Sequence, residues 1–320
     1  MSCFVPSCLR GEFELSTALT AFAEQIRAAA ERKAPLRFRG GGTKDFYGQS
    51  IEGDILDTRA HAGVVDYEPT ELVITVRAGT ALAEVEKAVA ERGQMLAFDP
   101  PGFGADATIG GVVAAGLAGP RRQSAGGVRD FVLGVRILDG RGDDLRFGGQ
   151  VMKNVAGFDV SRLLAGSLGT LGLITEVSLK VLPVPVADAT LRLEMPQDKA
   201  LEALNKWGGK PLPIAATCHE SDVLTVRLCG AAAAVKAARE RLGGERFEDA
   251  EVFWSTLREQ AHMFFADGEP LWRLSVPSVA PPLALPGAQL VEWGGSLRWL
   301  RSSADARTIR DLVARTGGHA

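Results

Sequence analysis

Three glycine-rich stretches in the first half of this chain have the composition of sites that bind phosphate groups. They are Arg39-Gly40-Gly41-Gly42-Thr43, Thr108-Ile109-Gly110-Gly111 and Gly166–Gly172. Glycine lacks the Cβ atom that would hold a ligand away from the backbone, so successive N–H groups can approach an anion closely. Three such stretches predict a large cofactor that carries phosphate.

Each stretch has a simpler explanation when taken alone, because tight turns and strand ends account for isolated glycine runs more often than ligands do. A cofactor is favoured by the three occurrences in one chain. It is also favoured by the 37 glycines among 320 residues, since the usual share is about 7%. The hydroxyl groups of Thr43 and Thr108 would add donors for phosphate oxygens.

The charge balance and the apolar segments limit the class of protein. With 36 Lys and Arg against 39 Asp and Glu, the net charge is −3, and no overall field attracts nucleic acid. The longest uncharged apolar stretch, residues 107–120, is too short and too rich in glycine to span a bilayer. Pro6 and Arg10 stand where a signal peptide needs an unbroken apolar segment. We expect a cytoplasmic protein whose only membrane association comes through a partner.

The cysteines and histidines predict no metal site. Neither set has the close spacing of a zinc or iron–sulfur site. The cysteines are therefore expected to be free thiols, and each histidine is more often a surface or packing residue than a ligand. The residues concerned are Cys3, Cys8, Cys218, Cys229, His61, His219, His262 and His319.

Strands and helices are predicted around the first glycine stretch. Ser16 is a plausible N-cap for a helix that ends near Lys33. The alternating residues Leu36–Arg39 then predict a short strand that leads into the first stretch. Further strands are expected at Asp54–Thr58, Val64–Tyr67 and Leu72–Arg77. Thr80 is predicted to cap the next helix, whose buried stripe is Leu82, Val85 and Val89.

The second and third stretches are expected to be loops. Val132–Leu138 predicts a strand that turns at Asp139–Gly142 into Leu145–Phe147 as a hairpin. The third stretch runs directly into Leu171–Leu182, a long apolar segment typical of a strand.

Around Pro183-Val184-Pro185 the sequence pattern changes, which predicts a domain boundary between residues 1–185 and 186–320. From Ala189 to Phe247 the order strand, helix, strand, strand, helix, strand is that of a ferredoxin-like layer. A helix, three more strands and a last helix at Ala304–Ala314 follow.

The order of these motifs resembles the FAD-binding domain of the vanillyl-alcohol-oxidase/PCMH flavoproteins over residues 1–185. The resemblance rests on the first stretch, then Thr108–Gly111 before Arg129-Asp130, then Asn154-x-x-Gly157-Phe158-Asp159 before Gly166–Thr170. A narrower similarity, over nearly the whole chain, is to the FAD-binding E subunits of bacterial glycolate oxidases. It rests on Gly119-Pro120-Arg121-Arg122 and Met152–Arg162.

The resemblance implies an α+β fold, with a PCMH-type two-subdomain FAD-binding domain followed by a ferredoxin-like α+β domain. It implies an FAD whose pyrophosphate is held by backbone amides of the first two stretches, with the isoalloxazine toward the C-terminal half. The residues that it predicts to bind FAD are Arg39, Gly40, Gly41, Gly42, Thr43, Lys44, Pro101, Thr108, Ile109, Gly110, Gly111, Gly116, Arg129, Asp130, Lys153, Asn154, Gly157, Asp159, Gly169 and Ile174.

Two departures from the family pattern have consequences. Some relatives attach flavin through a histidine or cysteine near these loops, whereas here the first loop ends in Thr43 and the second offers Gly102, Phe103 and Gly104. We therefore expect non-covalent FAD. Relatives of the E subunit also continue past the final Gly-Gly-His-Ala with another strand and a tail. We expect this chain's second ferredoxin-like layer to be one strand short.

As a function, the resemblance implies an FAD subunit of a glycolate-oxidising complex, which converts glycolate, a 2-hydroxy acid, to glyoxylate. Electrons would pass through the flavin to an iron–sulfur subunit, and a catalytic flavoprotein subunit would be a further partner. The alternative is a non-catalytic flavin-binding scaffold, because the C-terminal half has no histidine cluster. Arg129 and Lys153 can be solvated charges or can neutralise cofactor charge, and Asp130 can simply pair with Arg129. The sequence assigns no catalytic residue.

Overall fold

The computed structural model describes residues 7–49, 52–150, 158–266 and 268–320. The chain forms two compact units. The first consists of Met1–Leu96, Pro100–Leu117 and Gly127–Val184, and the second of Ala97–Asp99, Ala118–Gly126 and Pro185–Ala320. Two short segments of the first half thus belong to the second unit, which the sequence pattern does not indicate.

The α-helices in the described residues are α1 Ser7–Arg32, α2 Leu82–Ala90, α3 Ile109–Ala115, α4 Arg122–Ala125, α5 Val160–Leu163, α6 Gln197–Gly208, α7 Ala232–Leu242, α8 Ala250–Arg258 and α9 Ala306–Arg315. None of these helices has both the length and the apolar character needed to cross a membrane.

The strands in the same residues are β1 Leu36–Arg39, β2 Asp54–Asp57, β3 Val64–Glu68, β4 Val73–Arg77, β5 Gln94–Met95, β6 Val132–Leu138, β7 Asp144–Gly148, β8 Leu173–Lys180, β9 Leu182–Pro183, β10 Ala187–Glu194, β11 Ile214–Glu220, β12 Val223–Gly230, β13 Glu245–Arg246, β14 Leu271–Ser275, β15 Ala288–Glu292 and β16 Leu297–Arg301.

The first unit is built on a five-stranded antiparallel sheet in the order β3-β4-β8-β6-β7. A separate parallel pair, β1 with β2, follows α1, and the first glycine stretch comes directly after β1. Leu56 of β2 packs into an apolar cluster with Phe22 and Ile26 of α1. The predicted buried stripe of α2, Leu82, Val85 and Val89, is confirmed.

Two predicted N-caps in the first unit are wrong. Helix α1 begins at Ser7, so Ser16 lies inside it. Helix α2 has Ala81 as its N-cap, in an extended conformation and without a side-chain bond. Thr80 instead closes the preceding turn, because its hydroxyl donates to the carbonyl of Arg77 at 2.7 Å and accepts the N–H of Gly63 at 2.8 Å.

The second unit contains one seven-stranded sheet in the order β13-β10-β12-β11-β15-β16-β14. Its first four strands have the predicted ferredoxin-like succession, with α6 and α7 as the connecting helices. The later strands do not form a second layer. Strand β15 pairs with β11 through Cys218 and Glu292, so β14–β16 extend the first layer.

Strand β14, at one edge of the second unit's sheet, is partly paired by a later segment of the chain. After α9 the backbone returns to β14, where His319 and Ser275 exchange two N–H···O bonds of 2.9 Å. Gly317 permits this return, since its φ of +80° is a conformation that side chains disfavour. Part of the row of free backbone groups on β14 is therefore paired.

Candidate functional site

Residues of all three glycine stretches line one cavity in the first unit. The cavity comprises about 980 Å³ of atom-free space, part of it open to solvent. Among its walls are the strand-to-loop segment Arg37–Asp45, the first turns of α3, and Gly169–Ile174 at the start of β8. The sequence places these segments more than fifty residues apart from one another, and the fold brings them together.

The first stretch presents backbone donors to this cavity. Among the described residues, the N–H groups of Gly40, Gly41, Gly42 and Thr43 donate no hydrogen bond, although all four residues are only half-exposed. Backbone N–H groups without partners are uncommon in folded proteins. Four in succession form a concave donor surface that suits an anion such as a phosphate group.

The charged side chains around the first stretch are predominantly cationic. Arg37 and Arg39 both contact one carboxylate oxygen of Asp45, at 2.7 and 2.9 Å. Lys44 donates to the carbonyl of Gly102 at 3.2 Å and lies 5.5 Å from the centre of the Phe103 ring. Three cations against one carboxylate give this wall a positive balance, which favours an anionic ligand.

The second stretch is the start of helix α3, and the prediction of a loop there is wrong. Thr108 caps the helix by accepting the N–H of Gly111 at 3.3 Å. The N–H groups of Ile109 and Gly110 donate to the carbonyls of Thr80 and Ala78, at 2.9 and 2.8 Å. These two amides are therefore hydrogen-bonded within the fold. We expected them to donate to the ligand, but they serve only to shape this wall of the cavity.

Several of the glycines allow the protein's own segments to approach each other. A Cβ atom on Gly40 would lie 2.2 Å from the Thr108 hydroxyl, and one on Gly41 only 1.6 Å from the carbonyl oxygen of Asp106. A Cβ atom on Gly110 would lie 2.7 Å from Ala78. At these positions glycine makes room for neighbouring protein atoms, whereas the sequence suggests that it makes room for the ligand.

The third stretch is anchored to the C-terminal end of α3. Gly166 and Leu168 donate to the carbonyls of Val113 and Ala114, at 3.0 and 2.9 Å. Gly169, with φ of +79°, then passes beside Phe38, whose ring would lie 3.1 Å from an added Cβ atom. This anchoring carries Gly169 and Ile174 to the cavity.

The predicted cofactor residues divide into three groups. Those that line the cavity are Arg39, Gly40, Gly41, Gly42, Thr43, Lys44, Thr108, Gly110, Gly111, Gly169 and Ile174. Those that the structure describes outside its lining are Pro101, Ile109, Gly116, Arg129, Asp130 and Asp159. Lys153, Asn154 and Gly157 lie outside the described residues.

The residues outside the lining have structural partners of their own. Asp130 accepts the N–H of Gly127 at 2.8 Å and forms no ion pair with Arg129, although both are described, so the suggested pairing is wrong. Asp159 caps α5 by accepting the N–H of Arg162 at 3.2 Å. Ile109 is fully buried, and Gly116 ends α3 in a left-handed conformation with φ of +67°.

Sequence reasoning missed several residues of the lining. Ala114 lies one turn after Gly111 on the same face of α3, a relation that the i, i+3 spacing would have revealed had the segment been read as a helix. Phe38 and Tyr47 flank the first stretch. Ala78 comes from the end of β4, and no local pattern signals its place in the cavity.

The histidines of the described residues have positions that fit packing or local hydrogen bonding. His219 contacts the carbonyl of Met195 at 3.0 Å, and His262 accepts the N–H of Phe264 and lies 3.8 Å from Glu220. His61 is buried beside Phe22. Within the residues that the structure describes, no group of His, Cys, Asp and Glu has a geometry that would hold a metal ion.

Comparison with known protein families identifies the cavity-forming unit. A family model described as an FAD binding domain matches residues 18–148. The solved structure of an alkyldihydroxyacetonephosphate synthase superposes on 92% of this chain and 69% of its own, with a TM-score of 0.62 and 15% identity. At that identity the likeness shows the fold alone, which is that of the PCMH-type FAD enzymes.

The amino-acid sequence of this chain is similar to those of two glycolate oxidase subunits and a D-lactate dehydrogenase. The glycolate oxidase subunit GlcE of Escherichia coli is 52% identical over 300 residues, which are 94% of this chain and 85% of the relative. The glycolate oxidase subunit GlcD of Bacillus subtilis is 34% identical over 52% of this chain and 36% of its own length. A D-lactate dehydrogenase of Archaeoglobus fulgidus is 26% identical over 74% of this chain and 49% of its own.

The expected FAD fits the cavity, since a cationic wall and a row of amides without partners in the described part of the chain suit its pyrophosphate. The fold, the matched FAD binding domain and the near full-length similarity agree. The chain belongs to the glycolate oxidase subunit GlcE family of FAD-dependent oxidoreductases.

Proposed function

We propose that this chain is the FAD-binding subunit of a complex that oxidises glycolate to glyoxylate and passes the electrons to an iron–sulfur subunit. The observation that carries the proposal is the set of four amides, Gly40–Thr43, that donate to no described residue, in a cavity of a chain 52% identical to a glycolate oxidase subunit. The relative's name supports both the substrate and the existence of companion subunits.

The residues of the first stretch would hold the pyrophosphate of FAD. The amides of Gly40–Thr43 would donate to its oxygens, and charge-assisted bonds of this kind are about twice as strong as neutral ones. Asp45 holds Arg37 and Arg39 on the same wall, so both guanidinium groups are already oriented before the cofactor binds. When bound, FAD supplies the acceptor for the hydride that leaves the hydroxyl-bearing carbon.

The apolar lining would exclude water from the bound cofactor. Ala114, Ala115 and Leu173 line the cavity between the two glycine-rich walls, and Leu168 lies at its exposed side. The small side chains on α3 leave space for the cofactor, whereas the two leucines would shield the bound cofactor from solvent. The pyrophosphate would therefore meet its donors in a less polar environment than water, where each bond is stronger.

A second candidate function, a flavin-binding scaffold without chemistry of its own, is favoured by the positions of the histidines. Oxidation of a hydroxy acid needs a base for the hydroxyl proton. In the described part of the second unit, His219 is buried against Met195 and His319 pairs with β14 through its backbone. On this alternative, the companion subunits would supply the acid–base groups.

The two candidates are separated by the absorbance spectrum of the purified chain, recorded before and after anaerobic addition of glycolate. For the first candidate we expect a flavin spectrum that glycolate bleaches when the companion subunits are present. Retained colour without bleaching in the complete complex would favour the scaffold. A monomeric chain whose flavin is bleached by glycolate alone would contradict the dependence on partners.

We expect the FAD to be bound non-covalently. Neither histidine nor cysteine, the residue types through which some relatives attach flavin, is among the described residues that line the cavity. Acid precipitation of the purified protein should release all flavin into the supernatant. A yellow pellet that survives washing would contradict this expectation.

Replacing Gly111 with leucine should lower FAD retention by about tenfold or more while the protein stays folded. Gly111 lines the cavity from α3, and an added Cβ atom meets only the Thr108 hydroxyl, at 3.3 Å. The rest of the side chain would fill the cavity. The matched control is Gly111→Ala, which adds the Cβ atom alone, and flavin content per folded protein is the measurement. Equal flavin content in both variants would remove α3 from the site.

A further inference from the structure

The first unit contains a second cavity that shares no lining residue with the first. It comprises about 1270 Å³ of atom-free space, part of it open, between α1 and one face of the five-stranded sheet. Ala23 and Arg27 of α1 form one side, and the charged side chains of Arg77, Arg136 and Glu176 form the other. The proposed handling of FAD and glycolate uses none of these residues.

Charged side chains form a row across this face of the sheet. Arg136 in this row is paired with carboxylates, whereas Arg77 forms no ion pair with a described carboxylate. Glu176 is the backbone partner of both Arg77 and Arg136. Its carboxylate contacts Arg136 at 2.7 Å, and Asp144 contacts Arg136 at 2.6 Å. Arg77 has no ion pair with a described residue and donates one N–H to the carbonyl of Ala62 at 2.9 Å.

Near this cavity, two polar side chains have buried nitrogen atoms that make no hydrogen bond to a described residue. The Nε of Arg77 is buried and bonds to no described residue. His61 is 2% exposed, and neither ring nitrogen makes a well-aligned hydrogen bond to a described residue, although the backbone of Thr175 interacts with the ring. Burial, and then Arg77, lower the pKa of His61. The charged side chains that shift the pKa of His61 all line the cavity, namely Arg77, Glu176 and Arg136. Buried polar groups without a hydrogen bond are rare in folded proteins, and each one lowers the stability of the fold.

We propose that the second cavity binds a small oxyanion, either a carboxylate or a phosphate, through the guanidinium of Arg77. A guanidinium offers donors in a fixed fork that matches two oxygens of such a group. The lining has three arginines, Arg27 among them, against the two carboxylates of Asp144 and Glu176, so one positive charge is in excess. Apolar neighbours such as Val65 and Leu138 leave room for a short carbon body.

The competing occupant is water, which commonly satisfies buried polar groups in roomy polar cavities. The two occupants differ in a measurable property. An oxyanion binds saturably and releases heat that depends on Arg77, whereas exchange with bulk water gives no saturable signal.

The test is isothermal titration calorimetry of the full-length protein with sodium acetate and, separately, with inorganic phosphate, at constant ionic strength. We expect saturable binding in at least one arm, and the arm that binds identifies the carboxylate or the phosphate as the ligand class. Arg77→Gln should weaken that binding by about tenfold or more. The exposed Arg92→Gln is the matched control and should bind as the wild type does.

A second variant keeps the proposal testable if Arg77→Gln fails to fold. Val65 lines the cavity from the edge strand β3 and is 45% exposed, so Val65→Trp would fill the cavity without removing a charge or a core residue. It should abolish oxyanion binding while FAD content and melting temperature stay at wild-type values. The absence of saturable binding in both arms for the wild type would overturn the proposal. Equal affinity of a folded Arg77→Gln and Arg92→Gln, or unchanged binding by Val65→Trp, would also overturn it.

Discussion

Replacing Gly41 with valine should lower the free energy of unfolding by about 3 kcal/mol or more and should abolish FAD binding at the same time. The fold is affected together with the cofactor site, because a Cβ atom on Gly41 would lie 1.6 Å from the carbonyl oxygen of Asp106. A backbone atom cannot rotate away, so one of the two segments must move.

The measurement is chemical unfolding together with flavin content. The control is Gly140→Ala, because an added Cβ atom at Gly140 has no neighbour within 4 Å and its φ is not in the left-handed region. Gly295→Ala would be an unsuitable control, because Gly295 has φ of +103° and Leu201 would lie 2.8 Å from the added atom. A Gly41 variant with the stability of the Gly140 variant would contradict the close packing of the first stretch.

Replacing Glu292 with glutamine should stabilise the protein by about 3 kcal/mol above pH 7 and by much less near pH 5. Glu292 is 4% exposed and lies at the end of β15 beside the apolar cluster of Trp299 and Cys218. The only hydrogen bond that its carboxylate makes to a described residue is from the Trp299 indole, at 2.8 Å. Burial is the main cause that raises the pKa of Glu292 from 4.5 to about 7; the Trp299 hydrogen bond and Arg273 oppose the rise, and Asp99 adds to it.

The sign follows from proton binding. Between pH 4.5 and about 7 the folded protein keeps the proton on Glu292, whereas the unfolded chain has lost it. Stability therefore falls as the pH rises through this window, and above it the whole penalty remains. A pKa difference of about 2.5, at 1.36 kcal/mol per unit, gives the stated magnitude. Glutamine keeps an acceptor for the Trp299 indole and does not titrate.

The measurement is the free energy of unfolding of wild type and variant at pH 5 and pH 8, with the exposed Glu240→Gln as the control. The Glu292 variant should gain stability on the wild type mainly at pH 8, and the control should follow the wild type at both values. A constant difference between the Glu292 variant and the wild type at both pH values would show that the carboxyl does not titrate in this window.

The sequence by itself determined the elements whose pattern is local. Strand β6 at Val132–Leu138 has the predicted bounds, since its apolar run is closed by the turn at Asp139–Gly142. The ferredoxin-like succession β10 to β13 follows from alternating strand and helix periods along a continuous segment. The first stretch, Gly40–Gly42, presents donors as three consecutive glycines predict.

The tertiary structure decided features that depend on contacts between distant segments. Helix α3 forms from a sequence rich in glycine, where propensity alone predicts a loop, because Thr108 caps it and Gly110 packs closely on Ala78. The three late strands join the first layer because β15 pairs with β11, about seventy residues earlier in the chain.

The same distinction applies to the chemistry of the sites. Residue types alone showed that a phosphate-bearing cofactor was expected, because bare backbone amides need only consecutive glycines. Which backbone amides and which nitrogen atoms of Arg77 and His61 make no hydrogen bond to a described residue depends on atoms that come from segments far apart in sequence. The pKa of Glu292 likewise depends on the depth at which the sheet buries it, and no local pattern encodes that depth.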